Sequence, residues 1–313
     1  MTEQPVVPQP DLMTSVNTIG GFQPAHMDEV LRRACAVAGL DATDARVLRG
    51  HTNAVVLLDR EPVVVKIARR GSPQTDALRT VRFVRWLMEQ DFPTAPLHPI
   101  AAEQPVVVDG HAVTFWTHLP QPPHPVQAEQ LAAPLYALHN LGTPPVELPE
   151  RDNVTAIRSS ITRITDVPTP LIDALSARVD KHAEELPGVQ FLHPKTAIQG
   201  DPQHRNALHH GNSAVLCDWD TVAWGHREWD LVTIEIHCRR FGYGTEHYRD
   251  FAKSYGHDVT TWEGYPTLRD LRELRMITTN ARKISHAPES RAEVIRRIEG
   301  LIEENTDLRW NIL

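Results

Sequence analysis

The stretch KTAIQGDPQHRNALHHGNSAVLCDWD, residues 195–220, decides the reading of this chain. A short apolar strand ends at Ile198, and the loop after it carries Asp201 and, five positions later, Asn206. A hairpin follows, with ALHH (207–210) and SAVLC (213–217) joined at Gly211–Asn212, and it delivers Asp218 at the end of its second strand. Asp201, Asn206 and Asp218 are hard oxygen ligands on a loop and a hairpin, a set that suits Mg2+ shared with substrate phosphates. Phosphoryl transfer asks little covalent chemistry of a protein. It needs positioning, a metal to neutralise phosphate charge, and a carboxylate beside the attacking hydroxyl. On this reading Asp201 faces the acceptor hydroxyl, and Asn206 and Asp218 hold metal. Asp220 is either an auxiliary metal ligand or a turn residue. A lone Asp-x-x-x-x-Asn would carry little weight; the weight lies in the ordered set with the hairpin, Asp218 and Asp230.

N-terminal to this stretch the texture changes. Residues 1–20 are rich in Pro and polar side chains and are expected to be poorly ordered. Met27–Leu40 has apolar residues at helical spacing. VVLL (55–58) and PVVVKIA (62–68) form an expected hairpin, Thr75–Gln90 an expected helix, and PVVVDG (105–110) with HAVTFWTHL (111–119) a second strand pair. Lys66 lies on one of these strands, placed to hold nucleotide phosphates. The Pro-rich run 119–125 is a stiff break. Beyond it helices are expected over 127–141, 155–164, 168–186, 229–240, 246–255, 268–285 and 290–305. The organisation is therefore α+β and bilobal, with a β-rich lobe over 21–119 and a helix-rich lobe over 120–313. Adenine is expected where the chain crosses between lobes, against Trp116, Thr117, His118 and Leu119, whose backbone groups can read its edge.

Composition narrows the classes further. The chain of 313 residues is 41% hydrophobic and 23% charged, which excludes wholesale disorder and fibrous repeats. No run is apolar enough for a membrane span, and the first residues lack the layout of a secretory signal. Three cysteines without a Cys-x-x-Cys fit a reducing cytoplasm. A net charge of −8 without a basic run argues against nucleic-acid binding. Residues 1–119 hold 11 basic and 13 acidic side chains, and residues 120–313 hold 21 and 27, so the second lobe carries a net −6. That surplus is either a solvated surface or a field that receives a cationic ligand. Glu235, Glu246, Asp250, Glu263 and Asp270 are the residues that would supply the field. His204, His209 and His210 are expected to form a surface cluster without a metal, and Glu235 and Arg239 an i,i+4 ion pair.

The ordered motifs resemble the aminoglycoside phosphotransferase and choline kinase superfamily, whose fold is protein-kinase-like. The family's His-Gly-Asp-x-x-x-x-Asn appears here as Gln199-Gly200-Asp201-Pro202-Gln203-His204-Arg205-Asn206. Its Ile-Asp-Trp-Glu turn appears as Cys217-Asp218-Trp219-Asp220, and its Gly-x-x-x-x-Asp-Leu as Gly225 to Leu231. Val63-Val64-Val65-Lys66 matches the nucleotide lysine, and Arg49-Gly50-His51-Thr52-Asn53 matches the phosphate-covering turn. The resemblance implies ATP and Mg2+ as cofactors. It implies nucleotide binding by Lys66, Gly50, Thr52 and Asn53, and a backbone-securing role for Asp230. Gln199 and Gln203 replace histidines, which implies altered loop packing. The helix that should offer Lys66 a glutamate has Thr80 at that place, with Asp76 one turn earlier.

Three functions compete. A protein kinase is excluded by length, because Asp218 and Asp230 are only twelve positions apart and leave no room for an activation segment. A catalytically weak nucleotide-binding scaffold stays as an alternative: the missing helix glutamate favours it, and the retained base and both metal ligands, for which a scaffold has no physical need, count against it. The leading reading is a small-molecule kinase, monomer or homodimer. Its acceptor is expected to be an aminoglycoside-like or other amine-bearing polyol; choline, homoserine, amino sugars and macrolides are the alternatives.

Overall fold

The computed structural model describes residues 24–50 and 53–313; the expected N-terminal segment 1–20, His51 and Thr52 lie outside them. Helix α1 (Pro24–Ala38) precedes a sheet of five antiparallel strands: β1 (Arg46–Gly50), β2 (Ala54–Leu58), β3 (Val63–Ile67), β4 (Val106–Val108) and β5 (His111–Thr117). Their spatial order is β1-β2-β3-β5-β4, with helix α2 (Gln74–Glu89) inserted between β3 and β4. The period-2 pattern of β3 explains the layering. Val63, Val65 and Ile67 are buried and join Val30, Leu31 and Ala34 of α1, together with Phe115, in one apolar core. Val64 and Lys66 project from the opposite face.

Helix α2 belongs to the β-rich lobe by sequence, yet its buried side chains join the other core. Phe83 packs edge-on against Trp219 with ring centroids 5.3 Å apart, and Val84 and Leu87 belong to the same cluster as the C-terminal helices. The chain after α2 is stitched to the helical lobe by Leu216 N–H to Pro93 O and Ala95 N–H to Leu216 O, at 2.9 and 2.8 Å.

The helical lobe holds α3 (Ala128–His139), α4 (Asn153–Ile161), α5 (Thr169–Glu185), α6 (Glu228–Arg240), α7 (Thr245–Tyr255), α8 (Tyr265–Ala281) and α9 (Arg291–Ile302). Between α5 and α6 lie β6 (Thr196–Ile198), the hairpin β7 (Ala207–His210) and β8 (Ser213–Leu216), and β9 (Ala223–Gly225), which pairs back onto β6. The expected hairpin is present, with Ala207 opposite Leu216 and His210 opposite Ser213. Strands β1 and β9 were not expected. Among the described residues no helix is long and apolar enough to cross a membrane.

Candidate active site

The loop after β6 is held from beneath by one buried carboxylate. Asp230, in the first turn of α6, accepts the backbone N–H groups of Gln199 and Gly200, each at 2.8 Å. His139 closes this anchor, with Nε2 3.1 Å from Asp230 and Nδ1 2.8 Å from the Tyr255 hydroxyl. Gln199 is fully buried and links two site loops. Its Oε1 accepts the Asp201 N–H at 2.7 Å, and its Nε2 donates to the carbonyls of Cys217 and Asp218, both at 3.1 Å. One amide thus fixes the backbone carrying Asp201 against the backbone carrying Asp218, and this is how the loop packs around the glutamine.

Asp201 collects three side-chain donors. Gln203 Nε2 donates to its Oδ2 at 2.9 Å, and Asn206 Nδ2 reaches the same oxygen at 3.3 Å and the Asp201 carbonyl at 2.8 Å. Arg272 of α8, 6% exposed, forms an ion pair with Oδ1. Arg272 was not among the sequence candidates. Helical periodicity placed it on a helix, but no local signal said that its side chain crosses to the Asp201 loop.

Across the cleft, Lys66 Nζ meets Asp218 Oδ1 and Asp220 Oδ2, both at 2.7 Å. Burial pulls the Lys66 ammonium down, but the two carboxylates outweigh it and hold its pKa above the ordinary lysine value. Asp218 is held low: burial raises it, while Lys66 and then Arg49 lower it further. Arg49, at the end of β1, lies 3.6 Å from Asp218 Oδ2, and Asn53 Nδ2 donates to Asp220 Oδ2 at 2.9 Å. Gly50 closes β1 opposite Ala54, while Thr52 lies outside the described residues. The partner of Lys66 is therefore not on α2. Thr80 is buried there, and Asp76 pairs with Arg79 at 2.9 Å.

Residue 218 has φ +57°, a left-handed backbone that aspartate tolerates better than most residues. This bend turns the chain so that Asp218 and Asp220 reach the same ammonium. Two carboxylates converging on one cation are a donor set that a divalent ion fits, with Lys66 now supplying the positive charge.

At the lobe junction the N–H groups of Thr117 and His118 are spent on Pro96 O at 2.9 Å and Pro62 O at 2.7 Å. The Leu119 N–H has no partner among the described residues. Trp116 pairs with Val64 in the sheet and is half-buried. Beyond the junction, Gln121 Oε1 accepts the His209 N–H at 2.8 Å and its Nε2 donates to His209 O at 3.2 Å, tying the crossing to the β7–β8 hairpin.

His204 corrects one expectation. It is buried, not on the surface, and stacks on Tyr243 with ring centroids 4.1 Å apart. His247 Nε2 accepts the Ala128 N–H at 3.0 Å, so His204 must donate from its own Nε2, also at 3.0 Å. His204, Cys238 and His247 bring ligand atoms within 4.8 Å of one another. Both Nε2 atoms are engaged in these hydrogen bonds, while His204 Nδ1 is buried without a partner among the described residues.

Of the acids expected to make a field for a cationic acceptor, three are paired with other cations and two are exposed. Glu235 holds Arg239 at 2.7 Å, as the i,i+4 spacing implied. Asp270 binds Arg269 at 2.7 Å and His182 at 3.2 Å, Glu246 pairs with Arg249, and Asp250 and Glu263 are exposed.

The family model described as the phosphotransferase enzyme family matches residues 44–271, well over half of the chain. No curated protein matches the chain. Among solved structures, an amicoumacin kinase in complex with AMP-PNP, Ca2+ and Ami is similar, with TM-score 0.71, 14% identity, and coverage of 92% of this chain and 98% of that one. A microcompartment-associated aminopropanol kinase has TM-score 0.71 and 14% identity over 90% of this chain and 99% of its own. A choline/ethanolamine kinase family protein from Mesorhizobium loti has TM-score 0.66 and 14% identity over 88% and 95%. These likenesses establish the kinase-like α+β fold.

Proposed function

The chain belongs to the phosphotransferase enzyme family, and on that premise we propose that it transfers the γ-phosphate of ATP, with Mg2+, to a hydroxyl of a small molecule. The observation that carries this reading is the meeting of Lys66 from the sheet with Asp218 and Asp220 from the helical lobe, while Gln199 ties Asp218 to Asp201. Base, metal ligands and phosphate lysine are thereby held as one unit.

Asp201 accepts the proton of the acceptor hydroxyl as the oxygen attacks phosphorus, and its hydrogen bonds from Gln203 and Asn206 fix the carboxylate for that task. Asn206 spends its amide nitrogen on Asp201, which leaves Oδ1 to join Asp218 as a metal ligand, with Asp220 as the auxiliary one. A bound Mg2+ would neutralise phosphate charge there. Lys66 exchanges carboxylate partners for phosphate oxygens, and Arg49, Gly50 and Asn53 stand over the phosphates. Adenine sits against Trp116–Leu119, with the Leu119 N–H as donor to the ring edge. The Thr117 and His118 N–H groups are already used, so one donor, not three, reads the base.

A second reading concerns the acceptor. An amine-bearing alcohol is supported by the names of the similar structures, which include an aminopropanol kinase and a choline/ethanolamine kinase family protein.

The test is Mg2+-dependent ADP release with and without a panel of small alcohols. The proposal expects release that rises with an acceptor and a product carrying a phosphate ester. Nucleotide binding without ADP release across a broad panel would indicate a scaffold instead.

A further inference from the structure

Beside the neutral amides of Gln203 and Asn206, a cluster of cationic side chains stands near Asp201, against the sign of the whole molecule. Arg272 pairs directly with Asp201. Arg151 Nη2 donates to the Gly200 carbonyl at 2.8 Å. Arg275, one turn beyond Arg272 on α8, reaches Ser160 Oγ of α4 at 3.2 Å. Arg282 and Lys283 follow directly after α8, and Arg163 follows α4.

Arg272 apart, none of these groups has a carboxylate within ion-pair distance among the described residues. Burial, then Arg272, lower Arg151 to about 10, against small opposing effects of Asp230 and Asp201. Burial, then Arg282, Arg272 and Arg163, lower Arg275 to about 10. Lys283 is exposed; partial desolvation, then Arg282, Arg69 and Arg275, pulls it down, with Asp201 opposing. Among the described residues, Asp201 is the one carboxylate within the charges that act most on Arg275 and Lys283, and it is already engaged by Arg272. The Nε atoms of Arg151 and Arg272 are buried without a hydrogen-bond partner. Like charges crowded in a partly desolvated site are unfavourable unless an anion compensates them. Arginine forks are suited to carboxylate and phosphate oxygens.

We infer that the acceptor is an anionic alcohol, whose hydroxyl meets Asp201 while its carboxylate or phosphate lies among Arg275, Arg282 and Lys283. This rests on the kinase reading and reverses the charge expected from the lobe's net −6. Lys283 is the informative residue, because it is exposed and outside the metal and base machinery, so its removal changes charge without opening the core.

The experiment is calorimetry on the full chain with Mg2+ and AMP-PNP, so that turnover is not required. The probes are matched: glycerate and glycerol 3-phosphate for the two anionic arms, glycerol as neutral, and 3-amino-1,2-propanediol as cationic; gluconate, glucose 6-phosphate, glucose and glucosamine repeat the set at larger size. At least one anionic member should bind about tenfold or more tighter than its neutral and cationic partners, the scale of one charge-assisted contact, and added salt should weaken it. The stronger arm identifies carboxylate or phosphate. Lys283→Gln should remove most of that preference and leave AMP-PNP affinity unchanged. Tighter binding of the amine, no preference by charge, or a Lys283→Gln effect on AMP-PNP would overturn the inference. Failure of AMP-PNP itself to bind would count against the kinase reading, and the charge preference would still be measured separately.

Discussion

Gly200 shows how narrow the tolerance of the site is at single residues. It has φ +83°, and a Cβ there would overlap the carbonyl oxygen of Thr221. Gly200→Ala should cost about 1–2 kcal/mol from the left-handed backbone alone, with more from the overlap. Because the peptide leads into Asp201, turnover should fall alongside the urea midpoint; an alanine variant with wild-type stability and rate would show that the loop can relax. Asp218 gives a second prediction. Asp218→Ala should abolish Mg2+-dependent nucleotide binding and leave Lys66 with Asp220 alone, so titration of ATP with and without Mg2+ should give the same weak result. A normal Mg2+ dependence would mean that Asp218 is not the metal ligand. The spacing of Asp201, Asn206, Asp218 and Asp230 was legible because these residues lie on one continuous stretch with its own turn signals. Arg272 and Arg151 were not, since each reaches the site from a distant element and sequence neighbours say nothing of where its guanidinium ends.

At the scale of elements, long amphipathic segments were readable and short pairings were not. Helices α1 to α9 follow their apolar spacing to within a few residues. β1 is exposed along most of its length and lacks inside–outside alternation, and β9 has three residues and exists by pairing with β6. The partner of Lys66 was sought on α2, where the related motif has a glutamate; the α2 face instead packs Phe83 against Trp219 of the helical lobe. Helices α6 and α8 are joined through Glu273, which is 1% exposed and accepts from Arg240 Nη2 at 2.7 Å and Arg239 Nη2 at 2.9 Å. Arg240 also donates to the Asn305 and Leu308 carbonyls, at 2.8 and 2.9 Å, and lies over the Trp310 ring. Breaking one partner of a buried pair costs about 3–5 kcal/mol, so Glu273→Gln should lower stability on that scale and loosen the segment after α9. Hydrogen exchange at residues 305–311 checks it; unchanged protection there would mean that Trp310 alone docks the chain end.

For the whole molecule, the net −8 is unevenly placed: Glu235, Glu246 and Asp270 are paired with other cations, while Asp201 is paired with Arg272. Buried histidines set the acid limit of stability. Burial, then His247, lower His204 to about 3, and burial with nearby arginines holds His237 well below its ordinary value. Unfolded histidines take up protons near pH 6.5, which the native core refuses. Stability from these groups is full above about pH 6.5 and is lost as pH falls toward the native values, on the order of 2 kcal/mol from His204 alone by pH 5. Urea midpoints should therefore drop between pH 7.5 and 5; a flat profile would mean that the core admits the charge. If Asp201 is the carboxylate beside the acceptor hydroxyl, acceptor-dependent ADP release by wild type and Asp201→Asn, with Mg2+–ATP affinity measured on both, should show it. The expected result is a fall in kcat of roughly 10²–10⁴-fold, the range for a positioned acid–base group, with nucleotide affinity nearly intact. An Asp201→Asn enzyme that turns over at the wild-type rate would contradict it.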